Sequence, residues 1–341
     1  MTERMMTLAA IERLCLQALV AAGASANNAA AVARSTMLAE RDGIRSHGLL
    51  YVPVYAEHVR CGKVDGTARP TVAQPRPGAV VVDAATGFAH PAIDAGWARF
   101  IAAARENGVA AMTVSNSYNC GVLGHHAERI AEAGLLGLCT THAPASIAPP
   151  GGRVPVIGTN PFALGVPDGA GGVTLVLDQS ASVVAKSEIL LRSQEGRPIE
   201  PGWALDADGA PTVDPAAALK GSMRPAGGHK GFGTGLLVEI LASCLSGAVL
   251  SKEASPFSGT RGGPPRTGQC FIAFDPSSFS GDFPRQVSSL VEAITEQDGA
   301  RLPGGRRQAA RRRTERDGVC VDGALIERID ALIERIDALI N

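Results

Sequence analysis

The chain has 341 residues, 45% of them apolar and 19% charged, which is ordinary for a globular protein with a sizeable core. Its 40 Gly and 22 Pro stay under the share, roughly 25–30%, that marks low-complexity sequence. Lys and Arg number 32 against 33 Asp and Glu, and the net charge of −1 excludes a broad attraction to nucleic acid or an anionic membrane.

In chain order, Leu8, Ile11, Cys15 and Leu19, then Ala30, Ala33 and Met37, recur at helical spacing. Two helices over residues 7–40, parted by a turn at Gly23–Asn28, satisfy this pattern. Glu12 and Arg13 cut the first apolar run, so it reads as an amphipathic helix rather than a signal peptide. No stretch approaches ~18 uninterrupted apolar residues, so no membrane span is predicted. A third helix is expected over Leu49–Arg60, and the Pro-rich stretch Ala68–Gly78 reads as a linker.

From Ala79 the texture alternates. AVVVDA (79–84) reads as a strand, 90–107 as a helix, VAAMTVS (109–115) as a strand, 122–134 as a helix and LLGLCTTHA (135–143) as a strand. VTLVLD (173–178) and QCFIAFD (269–275) are further strands, and Phe232–Gly247 is the strongest helix. Between them, Gly196–Gly228 is rich in Gly and Pro, with turn signals at Asp208-Gly209 and Asp214-Pro215. The tail repeats ALIERID at 324–330 and 331–337, which sets Leu325, Ile329, Leu332, Ile336 and Leu339 on one helical face. Two heptads fall short of a coiled coil, so this helix is expected to pack on its own subunit or on a partner. The seven cysteines are scattered, with no CxxC pair, which predicts reduced thiols and a cytoplasmic location.

The chemistry is carried by a few short motifs. There is no GxGxxG and no GxxxxGK[ST]; Gly231–Gly235 is only GxGxG and follows no clear strand, so a Rossmann or P-loop site is not supported. Gly227-Gly228-His229-Lys230-Gly231 opens the strongest helix, where free N–H groups beside a Lys suit an anion. A flexible loop with a solvated Lys explains the same residues equally well. In Arg41–Gly48, His47 suits a proton donor and Ser46 its relay, whereas a capping Ser and a surface His is the plainer reading. His125 and His126, adjacent on a helix, point about 100° apart and lack zinc spacing, so no metal is expected. The arginines between Arg301 and Arg316 read as a solvated helix face, some of them able to clamp a phosphate.

Taken together, RDGIRSHG (41–48), VDAATGFAHPA (82–92), PPGGRVPVIGTNPFA (149–163), VLDQSASVVA (176–185), PGWALDADGAPTVDP (201–215), PAGGHKGFG (225–233) and RLPGGRR (301–307) run in order across about residues 5–320. They resemble the type-2 malate/L-lactate dehydrogenase family of NAD(P)-dependent oxidoreductases. The resemblance implies an α/β (α+β), non-Rossmann fold with a largely antiparallel cofactor-binding sheet. It implies a helical domain built from both termini (1–75 and 285–341) around a cofactor- and substrate-binding region (76–284) of two interleaved subdomains. It also implies a homodimer.

The implied activity is hydride transfer between nicotinamide and C2 of a small 2-oxo or 2-hydroxy acid of the malate, lactate or sulfolactate type, with NADP(H) ahead of NAD(H). The alternative is a ketimine reductase acting on Δ1-piperideine-2-carboxylate or Δ1-pyrroline-2-carboxylate. A further alternative is a member that binds cofactor but has lost catalysis. By the same resemblance His47 is the proton donor, Ser46 its relay and Glu188 an acidic relay, while Thr159 contacts substrate. The cofactor is expected at Asn119, Cys120, Gly121, Val122, Leu123, Asp178, Gln179, Ser180, His229, Lys230, Gly304, Gly305, Arg306 and Arg307. Two positions depart from the family pattern. Tyr51 stands where many members have an Arg for the substrate carboxylate, which leaves Arg45 as the candidate anchor, and Asn119 stands where a His is common and cannot serve as a base.

Overall fold

A computed structural model describes residues 3–340, with side chains through Glu334. The chain opens with β1 (Glu3–Met6), α1 (Leu8–Ala21) and α2 (Ala26–Arg41). Each helix starts on a hydroxyl cap: Thr7 Oγ1 accepts the Ala10 N–H at 3.2 Å, and Ser25 Oγ accepts the Asn28 N–H at 3.4 Å. Two single 3-10 turns, Arg45–His47 and Leu49–Tyr51, lead into α3 (Val52–Arg60).

The middle of the chain supplies β2 (Thr71–Arg76), β3 (Ala79–Asp83), α4 (Ala89–Asn107), β4 (Val109–Ser117), α5 (Leu123–Glu132), β5 (Leu136–Thr141), β6 (Phe162–Pro167) and β7 (Val173–Gln179). A smaller unit follows: α6 (Lys186–Gln194), β8 (Ala204–Leu205), β9 (Pro211–Thr212), α7 (Pro215–Lys220) and β10 (Ser222–Met223). Next come α8 (His229–Glu239), which runs on as a π-helical turn to Cys244, and β11 (Thr267–Phe274). The chain then forms α9 (Phe283–Thr295), α10 (Gly305–Asp317), β12 (Val319–Asp322) and α11 (Gly323–Ile340).

Seven strands make one sheet in the order β2-β3-β4-β11-β5-β6-β7. Among the described residues its only parallel neighbours are β3 and β4. β11 enters last and lies at the centre, antiparallel to both β4 and β5. The fold is thus α/β with a largely antiparallel sheet and no Rossmann winding. One expectation is corrected: the stretch 68–78 is not a linker, because it carries β2, an edge strand hydrogen-bonded to β3. Pro75 and a nearly unbroken exposed pattern hid it, and both are typical of an edge.

Three apolar cores hold the chain. Val82, Phe100, Met112, Ile130 and Phe271 fill the space between the large sheet and α4 and α5. Ile147, Ile157, Ile189 and Met223 form a second beneath the small three-stranded sheet. The third joins the two ends of the chain: Ile11 and Leu19 of α1 and Tyr55 of α3 pack with Val321 of β12 and Ile329 of α11. β1 pairs with β12 in the same region. The ALIERID helix therefore packs on its own chain, burying Ile326 and Ile329 with Leu325 and Ile333 partly covered, while Ile336 and Leu339 lie outside the described side chains. All seven cysteines are free thiols, and among the described residues no helix is long and apolar enough to cross a membrane.

Candidate active site

His47 sits in the 3-10 turn after α2, and its neighbours explain the shape of that turn. Glu40, buried near the end of α2, accepts the Leu49 N–H at 2.7 Å and so holds the start of the second turn. Gly48 is required there because a Cβ would collide with the Glu40 carboxylate. Burial pushes the Glu40 pKa up, opposed by the Leu49 N–H and by Arg45. The RSHG motif is thus the sequence trace of a carboxylate packed under the turn.

Ser46 Oγ lies 3.0 Å from His47 Nδ1. When the hydroxyl donates to Nδ1, the proton of the neutral ring resides on Nε2, where it can be given away. His47 shows an open face, yet protein atoms crowd its other sides. Lost hydration lowers its pKa, the charge of Asp178 opposes this, and His125 adds to the lowering.

The open face of His47 borders a cavity of about 180 Å3, walled also by Tyr51, Tyr55, Asn119, Cys120, Gly121, Thr141, His142, Thr159 and Phe257. None of the walls is an Arg or a Lys. Tyr51 and Tyr55 lie one helical turn apart, edge to face at 4.8 Å between ring centres. Tyr55 donates to Asn119 Oδ1 at 2.8 Å, and the Gly121 N–H reaches the same oxygen at 3.2 Å. With its oxygen occupied, Asn119 presents an amide N–H2 that meets no acceptor among the described residues, a donor and not a base.

A second group of expected residues meets at the start of α5. Asp178, near the end of β7, accepts the Gly124 N–H at 2.8 Å and faces Arg307 Nη2 at 3.2 Å. Gly124 makes this possible, because a Cβ there would stand 2.7 Å from Asp178 Oδ2 and 2.6 Å from Arg307 Nη2. Arg307 Nη1 is buried with no partner among the described residues. An unsatisfied guanidinium N–H beside a helix N-terminus fits an anionic group such as a dinucleotide phosphate. Val122 caps α5 and Leu123 is its first residue. Gly304, at φ 82° and with Val176 O 3.0 Å from any added Cβ, caps α10, and Gly305 begins that helix. Gln179 and Arg306 are exposed nearby in sequence, and Ser180 Oγ pairs with Ser182 Oγ at 3.0 Å. His229 and Lys230 lie elsewhere, exposed at the mouth of α8, where His229 borders a second cavity of about 330 Å3 with Arg224 and a buried Ser222 hydroxyl that has no partner among the described residues.

The structure does not bring every expected residue to His47. The Arg45 guanidinium points to the Cys320 carbonyl at 3.4 Å and is no wall of the cavity. Glu188, on α6, pairs with Arg192 at 3.1 Å and is likewise absent from the walls. The basic run also divides. Arg311 makes paired contacts to Asp42 at 2.8 and 3.0 Å and to Glu128 at 2.7 and 2.9 Å, so it is a structural clamp rather than part of a solvated face. His125 donates to Asp42 at 3.1 Å and His126 to the Cys120 carbonyl at 3.0 Å, in separate directions. Sequence reasoning missed Tyr55, His142 and Phe257. Tyr55 was within reach as the i+4 neighbour of Tyr51, whereas Phe257 lies in a loop without periodicity.

A model of the family described as malate/L-lactate dehydrogenase matches residues 6–330. The chain belongs to the malate/L-lactate dehydrogenase family. It is an oxidoreductase of that family, and its relatives cover it almost end to end. It is 41% identical to the Δ1-pyrroline-2-carboxylate reductase of Ancylobacter novellus, over 96% of each chain. It is 44% identical to the (2R)-3-sulfolactate dehydrogenase (NADP(+)) of Chromohalobacter salexigens, over 91% of this chain and 92% of that one. Among solved structures, the Δ1-piperideine-2-carboxylate reductase of Pseudomonas syringae pv. tomato superposes with a TM-score of 0.91 at 34% identity, covering 96% of this family member and 99% of that chain.

Proposed function

We propose that the chain is an NADPH-dependent reductase of small cyclic imino acids of the Δ1-pyrroline-2-carboxylate type, with His47 as the proton donor. The observation that carries this reading is the cavity itself: a paired Ser46–His47 facing aromatic rings, with no cationic wall. A flat ring bearing one carboxylate suits Tyr51, Tyr55 and Phe257. A dianion such as sulfolactate or malate would leave its second charge without a partner there. Reductases of cyclic imino acids among the relatives support the same substrate class.

When bound, a nicotinamide cofactor would supply hydride for C2. The chain's own residues do the rest. Asn119 Nδ2 and the Thr159 hydroxyl are donors for the substrate carboxylate, and the tyrosine rings exclude water. His47 Nε2 holds the proton at the developing amine, with Ser46 fixing the ring. Asp178, Gly124 and Arg307 at the head of α5 hold a phosphate, and the Gly228 to Lys230 turn offers a second anion contact. Preference for NADPH rests on these cations and on the NADP(+)-dependent relative. Glu188 and Arg45 keep a role in this reading only if cofactor or a partner subunit brings them inward.

Reduction of 2-oxo acids is the second reading, favoured by the 44% identity to the sulfolactate dehydrogenase. The reading also includes a terminal helical domain (1–75 and 285–341, less the residues of β2, which pair into the large sheet) around the 76–284 region, a homodimer and a cytoplasmic location, the last supported by seven free thiols. Fluorescence titration with NADPH and NADH, followed by assays that read NADPH oxidation as cyclic imino acids, pyruvate, oxaloacetate and sulfopyruvate are reduced, tests the proposal. Turnover of the cyclic imino acids at the highest kcat/KM is expected. A higher value for sulfopyruvate overturns the substrate class, and failure to bind either cofactor overturns the enzyme. Light scattering on the eluting protein reads the oligomeric state.

A further inference from the structure

Lys63 is the oddest cation in the molecule. It is fully buried, and among the described residues no carboxylate lies within ion-pair distance of it. An ammonium removed from water needs its donors satisfied. Here carbonyl oxygens do so: Nζ donates to Pro256 O at 2.6 Å and to Gly259 O at 3.1 Å, with Ser258 O at 3.5 Å.

These acceptors belong to the loop between the π-helical turn and β11, which carries left-handed glycines at Gly259, Gly262 and Gly263. A loop without helix or ladder must find partners for its backbone elsewhere. This one finds them on α3 and its flanks. Besides Lys63, Tyr51 donates to Phe257 O at 3.4 Å and His58 Nε2 donates to Gly259 O at 3.0 Å. His58 Nδ1 in turn accepts from the Tyr118 hydroxyl. Four consecutive carbonyls, 256 to 259, are thus gripped by side chains. Phe257 is thereby pressed edge-on to Tyr118, at 5.2 Å between ring centres, and forms one wall of the His47 cavity.

We propose that Lys63 is a positioning residue whose buried ammonium clasps the 256–259 segment and, through Phe257, sets the cavity's fit to a flat ring. The three donors of an ammonium match a ring of carbonyls, which the planar fork of an Arg does not. The assignment of ring substrates rests on the function proposed above; the clasp itself does not.

The test compares Lys63→Met, Phe257→Ala and the double variant in the full-length protein. Expected for Lys63→Met is a roughly tenfold rise in KM for the cyclic imino acid, the scale of one lost apolar wall contact, with kcat and NADPH affinity near wild type. Trypsin should also cut faster after the exposed Arg261. The double variant should be no worse than Phe257→Ala alone, because one residue acts through the other. Multiplying KM effects, or an unchanged KM together with unchanged cleavage, overturn the proposal. Should Lys63→Met fail to fold, His58→Phe, which has no donor for Gly259 O, must speed cleavage after Arg261, and unchanged cleavage overturns it. If the wild-type protein turns over no substrate, the proposed function falls and the trypsin comparison alone decides the clasp.

Discussion

Two polar clusters stand at either end of residues 42–47 and solve opposite problems. At one end Asp42 is buried and saturated, held by Arg41, His125 and Arg311. Burial pushes its pKa up, but hydrogen bonds from His125, Arg311 and Arg41 outweigh this and hold it well below the usual carboxylate range. At the other end His47 faces a cavity with no cation and with amide and hydroxyl donors unspent. The first cluster ties α2, α5 and α10 together, and the second is left open to a ligand. The contrast teaches that a saturated charge network reads as architecture, whereas unpartnered polar groups around a cavity read as a site.

The comparison breaks most sharply at His47. Replacing it with Ala should lower kcat by roughly 10²–10⁴-fold while NADPH affinity by fluorescence titration stays within error. Loss of binding in place of turnover would make His47 part of the architecture instead. Asp42→Asn should act in the opposite sense, destabilising by about 3–5 kcal/mol in urea denaturation, because it strips a buried cation cluster of its counter-charge. A cost under about 1 kcal/mol would reduce the cluster to surface pairing.

Acid sharpens the contrast further. Burial lowers the pKa of His90 to about 3 and of His126 and His142 to about 4, so the folded chain holds all three neutral. The unfolded chain protonates them near pH 6.5, so their stabilising share is present above that pH and is lost as pH falls towards 4. Each should cost about 1.4 kcal/mol per pH unit below 6.5, read as a falling Tm between pH 7 and 5. A flat Tm over that range would mean the rings are solvated. Smallest is Gly124→Ala: the added methyl crowds Asp178 and Arg307, and NADPH binding should weaken about tenfold with the Tm little changed. Unchanged affinity would remove the head of α5 from the cofactor site.

What the sequence revealed follows from what leaves a periodic trace. The helices of residues 8–41 and the strands from Ala79 onward were visible because each buries one regular face. β2 was not, since an edge strand flanked by prolines buries almost nothing and shows no alternation. In the site, RSHG and its His47 stood out through residue type. Arg311 did not, because Arg311, Arg312 and Arg313 are identical in sequence and only packing against Asp42 separates the clamp from its exposed neighbours. Lys63 and Phe257 were hidden for a related reason: 193 residues separate Lys63 from its nearest acceptor, Pro256 O.

The pairing of β1 with β12 sets a timetable for synthesis. Glu3 lies opposite Asp322, so this ladder cannot close until Asp322 has left the ribosome. Until then α1 lacks the partners that cover Ile11 and Leu19, Val321 and Ile329 among them. Helix α1 is therefore made long before its final surroundings are complete. In the interval the part of its apolar face that β12 and α11 cover is open to whatever else in the cell binds exposed hydrocarbon.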